Sequence, residues 1–105
     1  MKYIEINRKF TEAVSNYMMQ GYTINTNTMR NHGREIAAID LTNGSEIIRV
    51  LLTTDLDDDF REFYELRIGK VKTADQIAPN SSKISQVIFN NNLEVISSEN
   101  MYLDN

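Results

Sequence analysis

The chain has 105 residues, a formal net charge of −4 and no cysteine. Its 41% hydrophobic and 25% charged residues predict one globular domain over residues 1–105, with a core that needs no disulfide or thiolate metal site. The acidic balance argues against direct binding to nucleic acid. Because no run of residues resembles a secretory signal or a membrane span, we expect a cytoplasmic protein with no membrane contact.

The N-terminal part of the chain has helical periodicity. Apolar residues recur at the spacing of one buried helix face, at Phe10, Ala13, Val14, Tyr17 and Met18. Asn7 is a suitable N-cap, and Gly21 stands where a left-handed residue commonly ends a helix. The pattern predicts a helix over residues 7–20. Residues 2–6 are compatible with a short strand or with a lead-in to this helix.

Two β-strands are predicted within residues 34–54, after a short β-type run at 22–25 and a polar loop at 26–33. Asn43-Gly44 lies between two alternating apolar runs, which is typical of a two-residue hairpin with φ above zero at both turn positions. This turn would place Ile39 opposite Ile48. The predicted core face consists of Ala37, Ile39, Ile48, Val50 and Leu52. The other face carries Asp40 and Arg49 among apolar residues.

The second half of the chain predicts more antiparallel strands. Residues 60–71 alternate between apolar and polar side chains, and residues 87–103 resemble a second hairpin around Asn90-Asn91-Asn92. Residues 72–83, which include the only proline, form a predicted connection. We therefore expect an α+β domain, in which the N-terminal amphipathic helix packs on an antiparallel meander of about four to six strands.

The acidic run at residues 55–59 raises the possibility of a metal site. An EF-hand loop that began at Asp55 would need glycine and glutamate where Phe60 and Leu66 stand, so a solvated acidic turn is the simpler prediction. A small metal-dependent hydrolase or nuclease would use Asp40, Glu65 and this run. Arg67 replaces the lysine of such sites and keeps its proton at working pH, and an ion pair between Asp40 and Arg49 accounts for these residues without chemistry.

No catalytic motif accompanies His32, the only histidine, so we expect no enzymatic activity, no metal and no cofactor. Acidic and aromatic residues interleave around the acidic run, a pattern that favours a protein partner with a basic surface. The predicted partner-binding residues are Asp55, Asp57, Asp58, Asp59, Phe60, Glu62, Phe63 and Glu65. A further alternative is a structural subunit that forms a homodimer through an exposed sheet edge.

The segments EINRKFTEAVSNYMMQGYTINTNTM and IDLTNGSEIIRVLL resemble short uncharacterised proteins of low-GC Gram-positive bacteria and their phages or mobile elements. The resemblance covers roughly residues 4–54. Proteins in that setting include inhibitors of host defence nucleases, some of them acidic and bound where nucleic acid would bind. The resemblance thus implies an inhibitor of a host defence or nucleic-acid-binding protein.

Overall fold

The computed structural model describes residues 2–25, 35–71 and 82–100. One N-terminal helix packs on a six-stranded antiparallel sheet whose strands lie in chain order. The elements are α1 (Lys2–Met19), β1 (Thr23–Ile24), β2 (Glu35–Thr42), β3 (Ile47–Leu56), β4 (Glu62–Val71), β5 (Ser82–Phe89) and β6 (Val95–Asn100). The predicted α+β fold is confirmed. The predicted loop at 26–33, with His32, and residues 72–81 of the predicted connection lie outside the described residues.

The helix is longer at its N-terminus than the sequence pattern predicts. It begins at Lys2, and Asn7 is an exposed residue inside it, so the prediction of an N-cap at Asn7 is wrong. The cause is Ile6, which is fully buried and extends the apolar stripe by one turn ahead of Phe10. Met18, predicted to lie in the stripe, is exposed. No helix among the described residues is long and apolar enough to span a bilayer.

The C-terminal end of α1 follows the prediction. Gly21 has φ +98°, the left-handed conformation in which a side chain is costly. The amide N–H of Tyr22 donates to the Tyr17 carbonyl at 3.1 Å, and that of Gly21 donates to the Met18 carbonyl at 3.1 Å. The rings of Tyr17 and Tyr22 meet edge-on, with centroids 5.2 Å apart. Two backbone hydrogen bonds and one apolar contact therefore turn the chain from the helix into β1.

The β2–β3 hairpin has the predicted faces but a different register. Ile39 lies opposite Val50, and Ile48 lies opposite Leu41, so the prediction of Ile39 opposite Ile48 is wrong by two residues. A shift of two residues leaves every side chain on its predicted face, because side chains alternate with a period of two. The predicted core face is therefore retained.

The register shift arises from side-chain hydrogen bonds in the loop, which spans residues 43–46. Asn43 Oδ1 accepts hydrogen bonds from the amides of Ser45 and Glu46, at 2.9 and 3.1 Å. Thr42 Oγ1 donates to the Glu46 carbonyl at 2.9 Å. Gly44 has φ +94°, whereas Asn43 has no positive φ, so the two-residue turn does not form. The asparagine side chain stabilises a longer loop instead.

The apolar core lies between α1 and one face of the sheet. The helix contributes Ile6, Phe10 and Val14, and the sheet contributes Leu41, Ile48, Val50, Leu52, Tyr64, Leu66 and Phe89. The opposite face of the sheet contains a buried ion pair. Arg49 Nε and Nη2 donate to the two carboxylate oxygens of Asp40 at 2.8 and 3.0 Å, and the side chains are 1% and 0% exposed. The predicted ion pair between these residues is confirmed.

Candidate protein-binding surface

The acidic run forms the turn between β3 and β4. The amide of Asp57 donates to the Arg61 carbonyl at 2.9 Å, and the amide of Phe60 donates to the Asp57 carbonyl at 3.0 Å. Asp57 Oδ1 in turn accepts from the amides of Asp59 and Arg61, both at 2.9 Å. The Asp57 carboxylate therefore stabilises the turn itself. We call residues 57–61 the Phe60 turn.

Phe60 is at the left-handed position of this turn. Its φ is +60°, a conformation that costs a residue with a side chain about 1–2 kcal/mol, and for which hairpins of this length usually use glycine. The side chain is nevertheless 83% exposed. Phe60 thus has an unfavourable backbone conformation without gaining burial in the core.

A second turn with the same hydrogen bonds connects β5 to β6. Asn90 Oδ1 accepts from the amides of Asn92 and Glu94, at 2.9 and 3.0 Å. The amide of Leu93 donates to the Asn90 carbonyl, and the amide of Asn90 donates to the Glu94 carbonyl. Leu93 has φ +64° and is the counterpart of Phe60, but its side chain packs against the core. Packing accounts for the bulky residue at 93 and does not account for the one at 60.

The two turns lie side by side at one end of the sheet. Tyr64 of β4 lies opposite Phe89 of β5, and neighbouring strands are about 4.8 Å apart, so the turn centres are separated by roughly 10 Å. The Phe60 turn extends two residues further along its strands than the turn after Phe89, or about 7 Å. This extension explains why Leu93 reaches the core whereas Phe60 projects beyond it.

Negative charge is concentrated around the Phe60 turn. Residues 55–65 contain six carboxylates and one arginine, a net charge of −5, compared with −4 for the whole chain. Arg61 Nη2 contacts Asp59 Oδ2 at 2.9 Å, and its Nε lies 3.6 Å from Asp57 Oδ2. Asp58 is exposed and makes no hydrogen bond or ion pair with the described residues. An exposed aromatic ring with an acidic surrounding is therefore presented at one end of the sheet.

The structure distributes the eight predicted partner-binding residues over three surfaces. Four of them form the tip of the turn, namely Asp57, Asp58, Asp59 and Phe60. Asp55 and Phe63 lie opposite each other on the face away from α1, where Glu65 accepts a hydrogen bond from Gln86. Glu62 lies on the helix side, with Oε1 at 3.4 Å from the Tyr64 hydroxyl. Only the tip residues form one contiguous group in which every residue is exposed.

The residues of the alternative hydrolase site are not brought together. Asp40 is buried against Arg49, which lies opposite Gly69 of β4. Glu65 is four residues away from Gly69 along β4, roughly 13 Å at the usual rise of a strand. Within residues 2–25, 35–71 and 82–100, no three His, Cys, Asp or Glu side chains are placed to hold a metal ion.

Composition and periodicity do not predict the special conformation of Phe60, although the sequence contains a sign of it. Residues 57–61 read DDDFR and residues 90–94 read NNNLE. In both, an Asp or Asn is followed three residues later by a large apolar residue, and the structure shows that this residue has positive φ. The repeated pattern is thus a local signature of one turn geometry.

Comparisons with protein-family models, curated proteins and solved structures found no match to this chain.

Proposed function

We propose that this chain is a non-enzymatic protein-binding module and that the Phe60 turn is its contact surface. The single observation that carries the proposal is the exposed phenylalanine in a left-handed conformation. Strained backbone positions cluster at functional sites, and here the turn places a bulky side chain at such a position without burying it. An aromatic side chain is also a strong anchor when a partner buries it in a pocket.

The charge around the ring defines the chemistry of the partner. A net charge of −5 over residues 55–65 favours a partner whose apolar pocket is bordered by lysine and arginine. Exposed charges of this kind mainly increase the association rate and make it salt-dependent, while the buried anchor determines how slowly the complex dissociates. We expect Asp58 and Asp59 to act on association and Phe60 to act on dissociation.

Proteins that bind nucleic acid carry such basic surfaces, because they neutralise phosphates with lysine and arginine. We therefore propose a nucleic-acid-binding protein as the partner. The resemblance of residues 4–54 to proteins of bacterial mobile elements favours a host defence protein among these, with the chain as its inhibitor. On this proposal the Phe60 turn occupies part of the partner's nucleic-acid site.

The anchor is tested by comparing Phe60→Ser with Met19→Ser. Met19 is 84% exposed and is the last residue of α1, far from the turn, so it is a matched exposed apolar control. A partner is first isolated from bacterial lysate with the unchanged chain, and its affinity for each variant is then measured. We expect Phe60→Ser to lose about 2 kcal/mol of binding free energy, roughly a thirtyfold weaker Kd. Equal affinities of the two variants would refute the proposal.

The acidic contribution is tested by changing Asp57, Asp58 and Asp59 together to Asn. This variant copies the order of residues 90–92, whose turn has the same hydrogen bonds, so the turn should be retained. We expect slower association and a weaker dependence of affinity on salt. Unchanged affinity and salt dependence would exclude the acidic residues from the contact.

A further inference from the structure

Among the described residues, β6 is an edge strand of the sheet. β6 (Val95–Asn100) is the last strand of the sheet, and no strand among the described residues lies beyond it. Val95 and Ile96 are 58% and 60% exposed. The strand contains no proline, lysine or arginine, which are residues that commonly prevent exposed edges from pairing. Its backbone is therefore chemically able to accept another strand.

Two features determine which part of the edge can pair. Ile88 lies opposite Ser97 while Phe89 lies opposite Val95, so Ile96 is a bulged residue and only the stretch after it is regular. The single charge of β6, on Glu99, forms an ion pair with Lys83 of β5. The regular stretch from Ser97 onward is thus short, and its one charge is already compensated.

We propose that β6 pairs antiparallel with β6 of a second copy of this chain, which joins the two sheets edge to edge. A two-fold axis perpendicular to the sheet relates the copies, so facing residues must lie on the same side of the sheet. An axis at Ser98 places Ser98 opposite Ser98 and Ser97 opposite Glu99. An axis at Glu99 would place two carboxylates opposite each other, which is unfavourable, and an axis at Ser97 would include the bulge.

A second copy is the occupant that this edge chemistry favours. The edge has no uncompensated charge that would select a charged peptide, and the register at Ser98 pairs the two Ser98 side chains and places each Glu99 opposite a serine, away from the other Glu99. The net charge of −4 per copy opposes association, but repulsion of this kind is screened beyond about 8 Å at physiological salt. Added salt therefore strengthens the dimer, whereas it weakens the binding of a basic partner. The dimer does not depend on the proposed function.

Sedimentation equilibrium of the full chain over a dilution series at low and high salt tests the dimer. We expect a mass of 12.1 kDa for the dilute chain and a rise toward twice that value as concentration and salt increase. The mass of one chain at every concentration and salt would overturn the proposal. The same result is expected if the edge binds a strand of another protein, and the proposal would be wrong in that case too.

Ser97→Pro and Ser98→Pro locate the contact. Consecutive residues of a strand direct their N–H groups to opposite sides, so one of these changes removes an outward donor and leaves the β5–β6 ladder intact. We expect that variant to keep its Tm and to lose the dimer, while Ser98→Thr, which keeps the N–H, retains it. A dimer that persists in the proline variant with unchanged Tm would contradict pairing through β6.

Discussion

Replacing Phe60 by glycine should stabilise the fold, although it removes an aromatic side chain. The left-handed conformation at φ +60° costs a residue with a side chain about 1–2 kcal/mol. Glycine removes that cost but loses more backbone entropy on folding, roughly 0.5–1 kcal/mol. The ring is 83% exposed, so little packing is lost. The middle values of these two ranges give an expected net gain of about 0.75 kcal/mol, a rise in Tm of roughly 3–6 °C for a domain of this size.

Leu93→Gly is the matched control, because residue 93 has the same turn conformation with φ +64°. The strain relief is the same, but the Leu93 side chain packs against the core. Loss of a buried leucine side chain costs 2–5 kcal/mol, and a partly buried one costs less, so we expect a net loss of about 1 kcal/mol. Urea denaturation of both variants should give changes of opposite sign. A loss of stability in Phe60→Gly would show that the ring packs within the fold and would refute the reasoning.

Three further changes probe the fold. Arg49→Met leaves the Asp40 carboxylate buried without its partner and should lower the free energy of unfolding by about 3–5 kcal/mol in urea; a loss near zero would contradict the buried pair. The pKa of the Glu46 carboxyl lies below its ordinary value of 4.5, mainly because the carboxylate accepts a hydrogen bond from Tyr22 and, as a smaller effect, one from Lys70. The folded pKa is the lower one, so this carboxylate stabilises the fold above pH 4.5, and the stabilisation is lost as the pH falls through the lowered value. Thermal melts of Glu46→Gln and of the unchanged chain test this assignment. As the pH is lowered below 4.5, we expect the Tm of Glu46→Gln to fall less than that of the unchanged chain, and equal decreases would refute the assignment. Asp57→Ala should cost about 1 kcal/mol of unfolding free energy and Asp57→Asn much less, because an amide oxygen accepts the same turn bonds; equal costs would contradict that role.

The fold could be predicted where side-chain periodicity determines it. The alternation of residues 36–52 defined the buried face, and it did so correctly even with the register wrong by two, because such a shift preserves the faces. The register itself depends on hydrogen bonds from Asn43 and Thr42 within the loop, and these compete with the two-residue turn that Asn-Gly usually favours. The start of the helix was likewise not predicted. One further buried residue, Ile6, extends the helix ahead of the predicted N-cap.

The composition of the candidate surface could be predicted, but its geometry could not. Clustered acids and aromatics pointed to residues 55–65, yet alternation along β4 separates Phe63 from Glu62, and Tyr64 is completely buried. A positive φ and the exposure of one ring narrow the candidate surface to the Phe60 turn. Composition contains neither of these two quantities. Leu93 has the same conformation and packs against the core, so its bulky side chain has a structural role. The ring of Phe60 is exposed, which favours a functional role.

Site-specific photocrosslinking tests the central claim most directly. A photoreactive phenylalanine derivative is placed at position 60 in one sample and at position 19 in the other, since these residues are 83% and 84% exposed at distant places in the fold. If the Phe60 turn is the contact surface, one defined protein should crosslink from position 60 and not from position 19, and the yield should fall as salt is added. The same products from both positions, or none from position 60, would contradict the account.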